Sequence, residues 1–222
     1  MRFVLLFILI PLSFFGQETK DSISTQRYFE DQFYLGLSYN FLLNHPEGSN
    51  QRNLSYGLQV GLIKDIPLNR LGTKAIGIGA GLALNSYYSN LVANLSNDEI
   101  TYSINDNITR SKLETHLIEF PLEFRWRNST VEEYKFWRIY TGIKAAYIVG
   151  ARSKFVSDTT SDGFYNTDLS RFQYGLTLSF GYNTFNLNAY YALTDLFNGS
   201  ATVNGEVLQY RPLRIGLIFY IL

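Results

Sequence analysis

The chain has 222 residues, with 19 Lys and Arg balanced by 19 Asp and Glu, and it contains no Cys. Balanced charge excludes the basic footprint of a nucleic-acid binder and argues against a strongly basic membrane-surface protein. The lack of Cys excludes a disulfide framework and a lipid-anchored cysteine.

Met1-Arg2 is followed by an apolar run from Phe3 to Phe15 and then by Gly16-Gln17. A cationic start, a short apolar core and a small residue at its end predict a secretory signal peptide over 1–16, cleaved near Gly16 or Gln17. The run is shorter than the roughly 20 apolar residues a spanning helix needs. Residues 17–31 are polar without a clear period, which predicts a mobile periplasmic segment ahead of a domain over 32–222.

From there strand signals follow one another, each with side chains alternating between two faces. The first covers Gln32–Leu43, the second Asn53–Lys64 and the third Lys74–Tyr88. The fourth and fifth form a central hairpin over Lys112–Lys154. The sixth, seventh and eighth cover Leu169–Tyr182, Phe185–Phe197 and Val207–Leu222. In every strand one parity is apolar and aromatic, as with Ile118, Phe120, Leu122, Phe124 and Trp126. The other carries polar groups and glycine, as with Gly77, Gly79 and Gly81.

Such faces fit two kinds of closed barrel. A soluble, ligand-carrying barrel would turn the bulky apolar face inward, where an eight-stranded lumen is just wide enough for side chains to fill it. The apolar residues here are too many and too large for that space. Turned outward into lipid they need no cavity, and closure leaves no strand edge for the hydrocarbon to penalise. The sequence therefore predicts an all-β, closed, antiparallel, eight-stranded transmembrane barrel of the bacterial outer membrane. Loops 44–52, 89–111, 151–170 and 198–206 are mostly longer than the turns at 65–73, 128–133 and 183–184. Long loops lie outside and short turns in the periplasm, so both termini are expected in the periplasm. Trp126, Tyr134 and Trp137 cluster near the second turn, as an aromatic girdle would. Pro121 and Pro212 lie inside strands and each removes a ladder donor, which predicts a bulge or strand end at both.

The signal peptide, the stretches ETHLIEFPLEFRWR and YKFWRIYTGIKAAYIVGARSKF, and the apolar terminal strand GLIFYIL together resemble the outer-membrane β-barrel family labelled PorT-like, abundant in Bacteroidetes. The resemblance spans the mature chain and is most specific in the central hairpin. It implies an outer-membrane barrel, a role as a structural or accessory envelope component connected with secretion, and no catalytic residues.

The residues themselves offer one constellation. Glu119, Glu123, Arg125, Arg127, Arg138, Lys144 and Arg152 share the inward parity of the central hairpin. A hairpin centred near residue 130 sets Glu123 opposite Arg138; a shift of two sets Glu119 opposite Lys144. Either way opposite charges meet across the strand pair. One reading is a plug of paired charges, as buried ions require; the other is a polar lumen that conducts small solutes. A surface-interaction role for loops 89–111 and 151–170 is a third possibility. His45 and His116 have no neighbours suited to a metal site. His116 with Ser111 or Ser103 carries no catalytic signature, and the loop acids Asp98, Glu99, Asp106, Asp158, Asp162 and Asp168 lack calcium-loop spacing. No cofactor or nucleic acid is implied. The expected partners are outer-membrane lipid and other envelope or secretion proteins, with the barrel itself a monomer.

Overall fold

The computed structural model describes residues 31–128, 137–157, 161–182 and 185–221. The expected signal peptide, nearly all of the 17–31 segment, Tyr134, Asp158 and the Asn183-Thr184 turn lie outside the described residues. The elements in chain order are β1 (Asp31–Leu43), β2 (Tyr56–Pro67), β3 (Lys74–Ser89), β4 (Leu91–Ser96), β5 (Glu99–Ile104), β6 (Arg110–Arg127) and β7 (Trp137–Val156). They continue with β8 (Ser161–Tyr165), β9 (Phe172–Tyr182), β10 (Phe185–Ala192), β11 (Thr202–Val203), β12 (Glu206–Val207) and β13 (Arg211–Ile221). Eight of them, β1, β2, β3, β6, β7, β9, β10 and β13, form a continuous antiparallel barrel, closed where β1 pairs with β13 from Phe33↔Ile221 to Leu43↔Arg211.

The alternation that predicts the strands also decides which face is inside. Along β9, Gln173, Gly175, Thr177, Ser179 and Gly181 are buried, while Phe172, Tyr174, Leu176, Leu178, Phe180 and Tyr182 are exposed. Leu35, Leu62, Leu82, Phe120, Ile143 and Leu187 are likewise exposed on the outer wall. A water-soluble fold would bury this set, because apolar surface left in water is costly; a barrel in lipid leaves it outside.

Glycine on the inner face makes room for large polar side chains. Gly61 and Gly81 are paired across β2 and β3, and a Cβ on either would collide with the Tyr34 hydroxyl. At Gly77 a Cβ would lie 2.6 Å from Arg125 Nε. Strand glycines weaken a sheet unless something must come close, and here the lumen contents do.

Three expectations about the elements are corrected, and one holds. The connection 89–111 is not an irregular loop: it folds into the hairpin β4–β5, paired from Leu91↔Ile104 to Ser96↔Glu99. The seventh barrel strand stops at Ala192, and the chain beyond it turns inward, so that Leu196, Phe197, Val203 and Leu208 are buried. Pro121 causes no bulge. The β3–β6 pairing skips from Ile78↔Leu122 to Gly81↔Glu119 without changing register, so the missing donor is met by a short gap. Pro212 is the second residue of β13, close to the expected strand end.

The bulge lies elsewhere. His116 pairs with Gly150 and Leu117 with Ile148, leaving Val149 as the extra residue of β7. One extra residue exchanges the faces of everything beyond it. Ser153 is therefore buried and Arg152 exposed. Arg152, expected in the lumen, points outward.

Candidate functional site

The lumen is filled in three layers. At the end that carries the short turns, Arg125 projects inward from β6 between Asp65 at the end of β2 and Glu123 on its own strand. Its Nη1 donates to Asp65 Oδ1 at 2.6 Å and to Gln32 Oε1 at 2.9 Å. Its Nε and Nη2 donate to Glu123 Oε2 at 3.0 and 2.9 Å. The guanidinium lies 4.4 Å from the ring centre of Tyr140 and 4.9 Å from that of Tyr220, where the ring faces attract a cation. Arg127 donates from Nη1 to Asp65 Oδ2 at 3.2 Å and from Nε to the Gly72 carbonyl at 2.8 Å. That carbonyl is positioned by the β2–β3 turn, where Gly72 has φ +67, a left-handed value that glycine adopts without strain. Arg138 is buried on the adjacent strand.

The middle layer centres on Glu119, which is fully buried. Its two carboxylate oxygens accept from different cations, Oε2 from Lys144 Nζ at 2.9 Å and Oε1 from Arg214 Nη1 at 2.9 Å. Lys144 also donates to Gln59 Oε1 at 2.7 Å. Arg214 stacks 3.8 Å from the ring centre of Tyr190. One acid thus ties β6, β7 and β13 together across the lumen, and Gln59 brings in β2. Three interior voids in these layers and above them hold about 10, 10 and 20 Å³, each room for about one water.

The third layer, at the long-loop end, is apolar. Leu42, Leu117, Ile148, Leu196, Phe197 and Tyr210 belong to one buried cluster, in which chain from the 193–210 connection packs onto the inward residues of the strands. Hairpin β4–β5 leans on this cap through Leu91 and Tyr102. The Tyr102 ring meets Phe197 edge-on at 5.4 Å. Its hydroxyl lies 3.1 Å from Asp168 Oδ2, and Asn166 Nδ2 donates to it at 2.9 Å. Burial raises the Tyr102 pKa above the usual tyrosine value, with the charge of Asp168 adding to the rise, so the phenol keeps its proton at neutral pH.

Of the residues singled out from the sequence, Glu119, Glu123, Arg125, Arg127, Arg138 and Lys144 are buried in the lumen; Arg152 is not. The register also differs from both options considered. Glu123 faces Gly142, Glu119 faces Ala146 and Lys144 faces Pro121, so Glu119 reaches Lys144 diagonally. Sequence reasoning missed Asp65 and Arg214. Arg214 stood on the inward parity of the last strand, but only closure brings that strand to Glu119. Asp65 shares parity with Gln59 and Gly61 but falls one residue past the expected end of the second strand at Lys64, while β2 continues to Pro67. Trp126 and Trp137 lie exposed at the short-turn end, and Trp137 stacks on Phe180 at 5.2 Å. His116 and Ser111 sit on opposite faces of β6, with Ser111 donating to the Leu91 carbonyl, so no catalytic pair forms. Among the described residues no group of three His, Asp or Glu is placed to hold a metal ion.

An outer wall of exposed apolar side chains, a closed eight-stranded ladder and a lumen of paired ions define a transmembrane β-barrel of the bacterial outer membrane. A family model described as an outer membrane protein beta-barrel domain matches residues 15–198, and the chain belongs to this family. The match stops short of β13, the strand that closes the barrel. No curated protein matches the chain. Among solved structures, Ail, the attachment invasion locus protein of Yersinia pestis, is 11% identical with a TM-score of 0.36, covering 86% of this chain and 97% of its own. An engineered protein from work on asymmetric conductivity is 9% identical with a TM-score of 0.16, covering 87% of this chain and 100% of its own.

Proposed function

We propose that this protein is a non-conducting, non-enzymatic barrel that serves as a structural or accessory component of the cell envelope, its lumen plugged by paired charges. In this reading residues 1–16 are a cleaved signal peptide, 17–31 a periplasmic lead-in and 32–222 the membrane domain. The barrel is a monomer whose partners are outer-membrane lipid and other envelope or secretion proteins. The family membership and the stretch ETHLIEFPLEFRWR support a PorT-like assignment of the Bacteroidetes kind, with a role connected to secretion.

The observation that carries the plug is Glu119, held at 2.9 Å by both Lys144 and Arg214 in the middle of the lumen. A conducting pore keeps its charged lining hydrated; here the charges spend their hydrogen bonds on one another. Planar-bilayer recordings test this. Wild type is expected to show no steady unitary current, whereas stable, ion-selective currents would replace the plug with a channel.

A further inference from the structure

Strands β6 and β7 have 18 and 20 residues, whereas about 9–11 suffice to cross a bilayer. The excess rises past the apolar belt at the long-loop end. On the outer face of β6 the last apolar residues are Phe120 and Ile118; above them come His116, Glu114, Lys112 and Arg110. On β7 the outward series beyond Val149 is Gly150, Arg152, Lys154 and Val156, an order the bulge creates. The register pairs Glu114 with Arg152 and sets Lys112 directly opposite Lys154. Four cations and one acid thus share a patch two strands wide, a net charge of +3 with His116 neutral.

Within the patch Glu114 is already engaged, by Lys112 and by His116 Nε2 at 3.2 Å. Although Glu114 is the register partner of Arg152, among the described residues no acid forms an ion pair with Arg110, Arg152 or Lys154. Glu114 balances Lys112, so the uncompensated charge of the patch rests on Arg110, Arg152 and Lys154, and like charge crowded on one face of a sheet is relieved by an anion from outside the chain. Aromatic groups flank the patch. Tyr88 pairs with Lys112 from β3, and Tyr165, 78% exposed, pairs with Arg152 from β8. Beside them a groove of about 600 Å³ is lined by Leu54, Tyr56, Tyr88, Arg110 and Val156.

We propose that this outward patch binds the phosphate groups of glycolipids in the outer leaflet, with Arg152 and Lys154 as the principal anion contacts and the adjoining groove taking the apolar or sugar portion. Depth fits the assignment. Four residues beyond Ile118, at about 3.4 Å per residue and a tilt of about 40°, raise the Arg152 level about 10 Å above the belt. Arg and Lys side chains reach back several ångströms along an apolar wall to place their charge at the interface. A lipid-borne phosphate meets the cations and the groove together, which a free anion cannot. The inference rests on the outer-membrane location and is independent of whether the lumen conducts.

Native mass spectrometry of the barrel released from neutral-detergent micelles doped with diphosphoryl lipid A tests it. Wild type is expected to retain the lipid, R152Q/K154Q to bind about tenfold more weakly, and R152K/K154R to stay within about twofold of wild type. Equal affinity of wild type for dephosphorylated lipid A, or unchanged affinity in R152Q/K154Q, would overturn the proposal. Displacement of the lipid by inorganic phosphate at equal phosphate concentration would overturn its lipid-borne form in favour of a free-anion site. Plugging is read separately from bilayer currents, so the two readings fail on different measurements.

Discussion

The two ends of the lumen are packed by different chemistries although the same strands enclose both. Toward the short turns the contents are ions that face one another, Arg125 between Asp65 and Glu123, then Lys144 and Arg214 around Glu119. Toward the long loops the contents are Leu196, Phe197, Val203 and Leu208, brought in by the connection between β10 and β13. The difference follows from how each group arrives. A strand delivers every second side chain to the lumen at a fixed height, so a large polar side chain there must find its partner on a neighbouring strand or remain unsatisfied. A loop can fold back and offer whichever side chains fit, and the ordinary hydrophobic effect then applies, because the loop end faces water. The charged layers are therefore expected to be welded to the barrel, and the cap to be a locally cooperative unit resting on it.

The largest expected effect comes from the middle layer. Glu119→Ala leaves Lys144 and Arg214 facing each other without their shared acid, which costs about 3–5 kcal/mol where a buried pair loses one partner. Heat- or urea-induced loss of the compact, heat-modifiable form in detergent should move in one step for the whole barrel. Leu196→Ala acts on the cap. It removes buried methyl groups at a local cost of about 2–5 kcal/mol, and the loss should appear as local opening rather than in the global transition. Limited proteolysis should accelerate between residues 193 and 210 while the barrel transition stays where it was; a fall in the global transition equal to that of Glu119→Ala would erase the distinction between the two regions. The smallest change is Tyr102→Phe. It deletes the hydroxyl that joins Asp168 and Asn166, worth about 1 kcal/mol net, and should raise amide exchange in β4 and β5 without altering exchange in β6 below Ile118.

Bulk electrostatics teach the same lesson on the outer surface. Total charge is zero, and composition alone argues against a basic membrane surface. Yet the bulge at Val149 turns Arg152 and Lys154 out beside Arg110 and Lys112, and a local cationic patch results. A sum over the chain cannot register where the charges are placed.

Period-two alternation is written in the order of residues, so the strands of the wall, their lipid-facing parity and the closed barrel could be read without coordinates. Six of the seven expected lumen charges were legible for the same reason, since parity alone assigns a side chain to a face. Partnership was not legible. Asp65 lies 60 residues from Arg125, and Arg214 lies 95 from Glu119; only the closure of β13 on β1 and the stagger of the ladder bring them within hydrogen-bonding reach. Nor was Arg152, because a single extra residue reverses parity without leaving any mark in composition. The inward fold of 193–210 escaped as well, because apolar residues in a connection carry no period and acquire a direction only when a lumen is there to receive them.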